Sequence, residues 1–327
     1  MRHLTVRRES FPIRGSFRIS RGAKTAAEVV VAEITDGEAV GRGECVPYGR
    51  YGETPDGVAA ALAAQAGAVT AGLDRDALDR LMPAGAARNA LDCALWDLEA
   101  KLSGRPVWHL AGLPEPPQPV VTAFTLSVDT PEAMAAAARA AADRPLLKLK
   151  LTGAGDVERV RAVRAAVPGT RLIADANEGW SLDQLRAFAP ELAALGVELI
   201  EQPLPAGADD ALLGVGCPVP LGADESCHGR DGLDRLRGRY QMLNIKLDKT
   251  GGLTEALRLK AAAEAAGFAV MVGCMVSTSL AMAPALLVAQ GARLVDLDGP
   301  LLLAADRSPG LRYDGAWVHP AGPALWG

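Results

Sequence analysis

The sequence predicts an α/β barrel preceded by a smaller domain of mixed strand and helix. Beyond about residue 120, a short apolar strand, a polar loop and an alanine- and leucine-rich helix recur. Successive strands begin roughly 20–30 residues apart, the length of one βα unit. Strands are expected near Val121–Ser127, Leu146–Leu151, Arg171–Ala174, Glu198–Ile200, Val219–Ala223, Met242–Leu247, Val270–Gly273 and Leu294–Leu297. Eight such units fit a closed barrel. An open doubly wound sheet is the alternative, but no G-x-G-x-x-G follows any of the strands to make its nucleotide site.

The N-terminal elements follow a different pattern. Glu28–Thr35 is a β-branched stretch ending in the Asp36-Gly37 turn, and Ala39–Glu44 resumes after it, a hairpin signal. A long alanine-rich helix is expected from Thr54 toward Gly72. A second, over Ala86–Leu102, carries Leu91, Leu95, Leu98 and Leu102 on one face and stops at Ser103-Gly104. Gly112–Pro119 holds four prolines, which excludes helix and central strand and marks a domain boundary. The expected division is residues 1–113, 118–300 and a C-terminal segment 301–327 returning to the first domain.

Composition narrows the function. The 327 residues exceed what one compact core usually holds. Hydrophobic residues make up 49% and charged residues 22%, with mean hydropathy +0.12, a profile that excludes intrinsic disorder. A net charge of -5 offers no positive field for nucleic acid or anionic lipid, so neither is expected as a partner. Cys45, Cys93, Cys217, Cys227 and Cys274 are odd in number and scattered, and there is no H-E-x-x-H, which argues against a disulfide framework and against zinc. The absence of an apolar stretch before Glu9 argues against a secretory signal, and the expected setting is cytoplasmic. Phe268–Ala292 carries no charge, but its internal Gly273, Ser277, Thr278, Ser279 and Pro284 make it a buried strand, a polar turn and a buried helix rather than a membrane span.

The informative residues interrupt the apolar strands. Lys148 and Lys150 are two apart and project to one face of their strand. Strands of a parallel barrel are covered on both sides, and lysine is rarely buried without a purpose. Asp175, Glu201 and Asp224 stand at the C-terminal ends of three consecutive strands, and Lys246 at the next. In a barrel those ends meet at one mouth. Three converging carboxylates are unfavourable without a hard cation between them, and oxygen-only ligation points to Mg²⁺. Asp296 and Asp298, again two apart, can hold a cationic group. Cys227 and Cys274 are packing residues by comparison, and Thr250-Gly251-Gly252 is more simply a tight turn than a phosphate cradle.

The K-x-K strand, the Asp, Glu, Asp series and the lysine that follows them resemble the enolase superfamily in its muconate-lactonizing subgroup. The stretches Gly43–Glu53, Ala84–Asp97, Asn244–Leu257 and Asp296–Pro300 are further similar to dipeptide epimerases of the L-Ala-D/L-Glu type. The resemblance implies a modified (β/α)7β TIM-like barrel with an N-terminal α+β capping domain. It implies an Mg²⁺-dependent isomerase that moves the α-proton of a dipeptide's C-terminal residue, interconverting L-Ala-D-Glu and L-Ala-L-Glu in murein peptide recycling. Lys150 and Lys246 would be the two acid/base catalysts on opposite faces, with Lys148 tuning Lys150. Asp175, Glu201 and Asp224 would hold the metal, with Asn177 behind them. Asp296 and Asp298 would bind the substrate ammonium, Arg21 the glutamate side chain, and Thr125 the substrate from the first barrel strand. Glu225 is expected to point away, and no role follows for Asp248. A homo-oligomer is compatible with this reading.

A lysine base needs a pKa about 3 below its ordinary value, roughly 4 kcal/mol, and a metal with a second ammonium nearby push in that direction. The rival within the subgroup is a lyase or cycloisomerase of the o-succinylbenzoate synthase or muconate cycloisomerase type, which has no substrate ammonium to bind. The rival from another class is a barrel that binds a ligand without turnover.

Overall fold

Strands β1 (His3–Ile19), β2 (Gly22–Asp36) and β3 (Ala39–Cys45) form an antiparallel sheet in that order in the computed structural model, which describes residues 1–327. β1 is absent from the sequence expectation. It is rich in arginine, contains Pro12 and Gly15, and shifts register between Pro12 and Phe17, so its alternation is weak, as suits a charged edge strand. β2 is buried on both faces: Val30, Ala32 and Ile34 join one apolar cluster while Val29 and Val31 join two others. That explains its near-continuous β-branched run.

Four helices follow: α1 (Pro55–Ala63), α2 (Ala66–Thr70), α3 (Arg75–Leu81) and α4 (Ala86–Ser103). The single helix expected from Thr54 is thus two, and α3 is new. The break after Ala63 lets Val58, Leu62 and Val69 all reach the core beneath the sheet, which α4 completes through Leu91, Leu95 and Leu98. A short helix α5 (Val107–Leu110) precedes the proline-rich stretch, and residues 113–119 hold no regular structure.

After β4 (Val120–Val121), eight parallel strands run in sequence order around one sheet: β5 (Phe124–Leu126), β6 (Leu146–Lys150), β7 (Arg171–Asp175), β8 (Val197–Glu201), β9 (Leu221–Ala223), β10 (Met242–Ile245), β11 (Ala269–Gly273) and β12 (Leu294–Asp296). The first and last strands meet at a seam, where Ala123 N donates to Val295 O at 2.8 Å. The barrel helices are α6 (Pro131–Ala140), α7 (Asp156–Ala166), α8 (Leu182–Ala194), α9 (Leu233–Leu236), α10 (Leu247–Thr250), α11 (Leu253–Ala265) and α12 (Ser279–Val288). One unit departs from the repeat. Between β8 and β9 the only helical structure is a single 3₁₀ turn, Asp209–Leu212, because Pro203, Pro205, Gly207, Gly214, Gly216 and Pro218 interrupt the connection. Phe268–Ala292 forms β11, a turn and α12, and no helix is long and apolar enough to cross a membrane.

A last helix α13 (Gly299–Leu302) leads to β13 (Tyr313–Asp314) and β14 (Trp317–Val318), which pairs with β4. The tail then crosses to α4, where Trp326 Nε1 donates to Cys93 O and Gly327 N to Asp97 Oδ1. The cap also meets the barrel along α4. Arg88 donates to Thr250 O and Gly251 O, and Asp92 accepts from Thr254 N and Oγ1. Gly251 and Gly252 have φ of 78° and 119°, and a Cβ on either would collide with Arg88 or Asp92. The Thr250-Gly-Gly turn is therefore glycine because a cap helix passes directly over it.

Candidate active site

Side chains on one face of a strand recur every two residues, so the barrel interior is built in layers. The floor is apolar: Ala123, Leu146, Ile173, Leu199, Met242, Met271 and Leu294, one from each of seven strands or their edges. Two residues further along the same strands stand Thr125, Lys148, Asp175, Glu201, Asn244, Gly273 and Asp296. One step beyond lie Lys150, Asn177, Lys246 and Asp298. Every polar side chain in these two layers is buried. The alternate residues Leu147, Leu149 and Leu151 point outward into the core under the helices.

The layers bring the expected residues together. Asp175, Glu201 and Asp224 each offer a carboxylate oxygen, and the three atoms lie within 4.8 Å of one another. Lys148 Nζ sits 2.8 Å from Glu201 Oε2, 2.8 Å from Asp296 Oδ2 and 3.2 Å from Asp175 Oδ2. Lys150 Nζ donates to Asp175 Oδ2 at 2.5 Å, and Lys246 Nζ to Asp224 Oδ2 at 2.7 Å. β6 and β10 are four strands apart in a ring of eight, so Lys150 and Lys246 face each other across the mouth. Thr125 joins the aspartate that ends the last strand to the one just past it: its N donates to Asp298 Oδ2 at 2.6 Å and its Oγ1 to Asp296 Oδ1 at 3.4 Å. Asn177, at φ 43°, donates its N to Asp175 Oδ1.

Burial and pairing set the protonation of these groups. Burial alone would lower the Lys148 ammonium, but Asp296, Glu201 and Asp175 outweigh it and hold it well above the ordinary lysine range. Lys246 follows the same pattern: burial lowers it and Asp224 overrides burial, so the protein groups around this lysine raise its pKa. A lysine base with a depressed pKa is what the chemistry requires, so any depression of Lys246 has to come from a further positive charge. Burial opposes ionisation of Asp175, yet Lys150 and Lys148 draw it down to about 2. Burial, with Asp175 adding to it, pushes Glu201 up to about 7, and burial with Asp296 does the same to Asp298. Glu201 Oε2 has no aligned hydrogen bond despite the nearby Lys148, which leaves a buried carboxylate oxygen facing the other two acids. Three buried carboxylates that bring hard oxygens within 4.8 Å of one another fit a divalent cation such as Mg²⁺.

Sequence reasoning missed several members of the site. Lys249, wholly buried, donates to Asp224 Oδ1 at 2.7 Å and to Asn244 O at 2.9 Å. Its signal was the Lys246-x-x-Lys249 spacing across one turn. Asn244 donates to Glu201 Oε1 at 2.7 Å, and Gly273 makes room for it, since a Cβ there would lie 2.6 Å from Asn244 Oδ1. Gln202, at φ 37°, accepts from Asp224 N and Ser226 N and fixes the loop bearing Asp224. Asp248 lies outside the mouth, under the cap, accepting from Val46 N and Asn89 Nδ2.

A cavity of about 640 Å³ opens above these residues and is roofed by the cap, with Phe17, Ile19, Tyr48, Tyr51, Met275 and Val276 supplying its apolar wall. Arg21 occupies the two-residue turn between β1 and β2 and reaches into this cavity. Glu225 lines the cavity too, contrary to the expectation that it points away. It takes a 2.6 Å hydrogen bond from Arg21, and its second oxygen is buried without a partner.

This arrangement has close parallels. The profile of the mandelate racemase / muconate lactonizing enzyme N-terminal domain matches residues 1–112, and the enolase C-terminal domain-like profile matches residues 132–299. The chain belongs to the enolase superfamily. It is 46% identical over 321 residues to the L-Ala-D/L-Glu epimerase of Escherichia coli K12, covering 98% of this chain and all of that protein. It is 47% identical over 301 residues to an N-acetyl-D-glutamate racemase from Pseudoalteromonas, covering 91% and 95% of the two. Among solved structures, an enolase family member from Agrobacterium tumefaciens with homology to dipeptide epimerases, bound to sodium and L-Ala-L-Glu, superposes with a TM-score of 0.99 at 56% identity over the full length of both chains.

Proposed function

We propose that this chain is a divalent-cation-dependent epimerase of dipeptides, acting at the α-carbon of the C-terminal residue and interconverting L-Ala-D-Glu and L-Ala-L-Glu. The observation that carries the reading is the pair Lys150 and Lys246 facing each other across a cluster of three buried carboxylates. With an ammonium on one side and an amine on the other, one lysine takes the α-proton and the opposite lysine returns a proton to the other face. Inversion of configuration follows from that placement. A cation held by Asp175, Glu201 and Asp224 would supply positive charge against the charge developing on the substrate carboxylate, and would oppose the upward pull of Asp224 on Lys246. Lys148 holds the substrate carboxylate and stands beside Lys150. Asp296 and Asp298, with Thr125 ordering them, receive the free ammonium of the N-terminal residue.

The capping domain, residues 1–113, closes the mouth, residues 118–300 supply the chemistry, and the tail 301–327 ties the two. Five free cysteines support a reducing, cytoplasmic setting.

The test is exchange of the C-terminal α-proton of L-Ala-L-Glu with solvent deuterium, followed by NMR, with and without Mg²⁺. Retention of full epimerisation by both Lys150→Ala and Lys246→Ala would overturn the two-base reading. The Pseudoalteromonas relative favours a second reading, racemisation of an N-acylated glutamate that carries no ammonium. Asp298→Asn separates the two. If the dipeptide is the substrate, the variant loses L-Ala-L-Glu turnover relative to N-acetylglutamate turnover.

A further inference from the structure

Strands β6 to β10, which carry or lead to most of the charged groups of the mouth, each pair with a strand on either side. β12 pairs with β11 alone and ends at the seam with β5. Asp296 and Asp298 therefore stand where the barrel has no backbone ladder on one flank, and side chains close the gap instead. Thr125 N donates to Asp298 Oδ2, and Leu297 N, between the two aspartates, donates to Thr122 Oγ1 at 2.8 Å. The Leu297 carbonyl accepts a 2.7 Å hydrogen bond from Tyr313 OH, and that hydroxyl makes no other.

Leu297 buries its own side chain in the large core under the helices. It is thus fixed at three points, its side chain, its N–H and its C=O, with one carboxylate on either side. A shift of its backbone would move both carboxylates together. Two of the three fastenings lead to the C-terminal tail. Tyr313 lies on β13, which pairs through β14 with β4, and Thr122, just after β4, donates its N to Ala316 O at 2.9 Å. Residues 313–318 brace the two aspartates from behind, and none of them lines the substrate cavity. Burial pushes the Tyr313 phenol well above its ordinary range, with Cys274 and Asp298 adding to it, so the hydroxyl stays protonated and able to donate.

We propose that Tyr313, together with Thr122, is a positioning residue for Asp296 and Asp298. By clamping the backbone of Leu297, it sets where the two carboxylates stand and so the preference for ligands that bear a free ammonium. This deepens the reading that the two aspartates receive the substrate ammonium, and rests on it.

The experiment measures, in Mg²⁺, kcat and KM for α-proton exchange of L-Ala-L-Glu. It also measures calorimetric Kd for L-Ala-L-Glu and for propionyl-L-glutamate, which keeps the shape of the dipeptide and lacks the ammonium. Tyr313→Phe should raise KM and Kd for the dipeptide about 5- to 20-fold, as expected when a buried carbonyl loses its donor. It should leave kcat within about threefold and Kd for propionyl-L-glutamate within about twofold. Thr122→Val should act in the same way, and Thr122→Ser should restore most of the preference. Trp326→Phe loosens the tail where it meets α4, and should lower thermal stability without changing the ratio of the two dissociation constants. Asp298→Asn should collapse that ratio. A ratio that falls in Asp298→Asn but not in Tyr313→Phe, or that falls equally in Trp326→Phe, overturns the positioning role alone. A ratio that falls in neither Asp298→Asn nor Tyr313→Phe overturns the ammonium site with it.

Discussion

The two walls of the cavity are built in different ways. The barrel wall stands on parallel strands, and its charged groups are buried and paired with one another at 2.5–3.2 Å. The cap wall is made of a two-residue turn and the loop around Tyr48–Tyr51, and its cations are half exposed or unpaired. Chemistry needs groups held to fractions of an ångström, which strands provide; selectivity needs only charge and shape at the rim, which turns provide and can vary.

Changes to the barrel wall should therefore cost far more than changes to the cap. Lys246→Ala should lower kcat by on the order of 10²–10⁴ while the protein stays folded, because Lys249 still pairs with Asp224; rates and thermal unfolding measured together check this. Mg²⁺ should raise thermal stability, by about 2.7 kcal/mol at a concentration a hundredfold above its Kd, and Glu201→Gln should abolish most of that response. An equal response in the variant would show that the cation binds elsewhere. Gly273→Ala, which forces a methyl against Asn244, should cost about 1–3 kcal/mol in denaturant unfolding and disturb Glu201 through the lost hydrogen bond.

Asp248 gives a pH-dependent test at the border of the two walls. Burial pushes its carboxyl up to about 7, above its value in the unfolded chain, so ionising it destabilises the fold above pH 7. That penalty is relieved as pH falls from 7 toward 4. Asp248→Asn can still accept from Val46 N and Asn89, and it should be more stable than the unaltered protein at pH 8, with the advantage vanishing near pH 4. A tenfold difference in acidity between the folded and unfolded chain corresponds to about 1.4 kcal/mol. The smallest effect is expected on the cap wall. Arg50→Ala breaks a partly exposed pair with Glu178 and should change KM by less than about fivefold.

The barrel wall was legible in the sequence because strand period and strand ends are local signals. A lysine pair two apart and single acids closing apolar runs are enough to identify the mouth. The cap wall was less legible because its contacts are long-range. Arg21 reads as a free arginine, and nothing nearby in sequence reveals Glu178 and Glu225, more than 150 residues away. β1 was missed for the same reason that it works as an edge: its arginines, Pro12 and Gly15 hide its alternation. Lys249 was visible as a spacing, but its target, Asp224, lies past the end of β9, 25 residues earlier in the chain.

The glycine-close contact between α4 and the turn after Lys246 has a consequence for how a substrate enters. Arg88, Asn89 and Asp92 fasten α4 to residues 248–254, and Glu44 fastens β3 to Thr278 and Arg307. Swinging the cap away as a rigid lid would break all of these buried contacts together. Passage is left to the hairpin tip at Ser20-Arg21 and the Tyr48–Tyr51 loop, whose contacts with the barrel are made by partly exposed side chains rather than buried ones. The molecule works less like a hinged box than like a room with fixed walls and one small door, and traffic through that door can be retuned without moving the catalytic machinery.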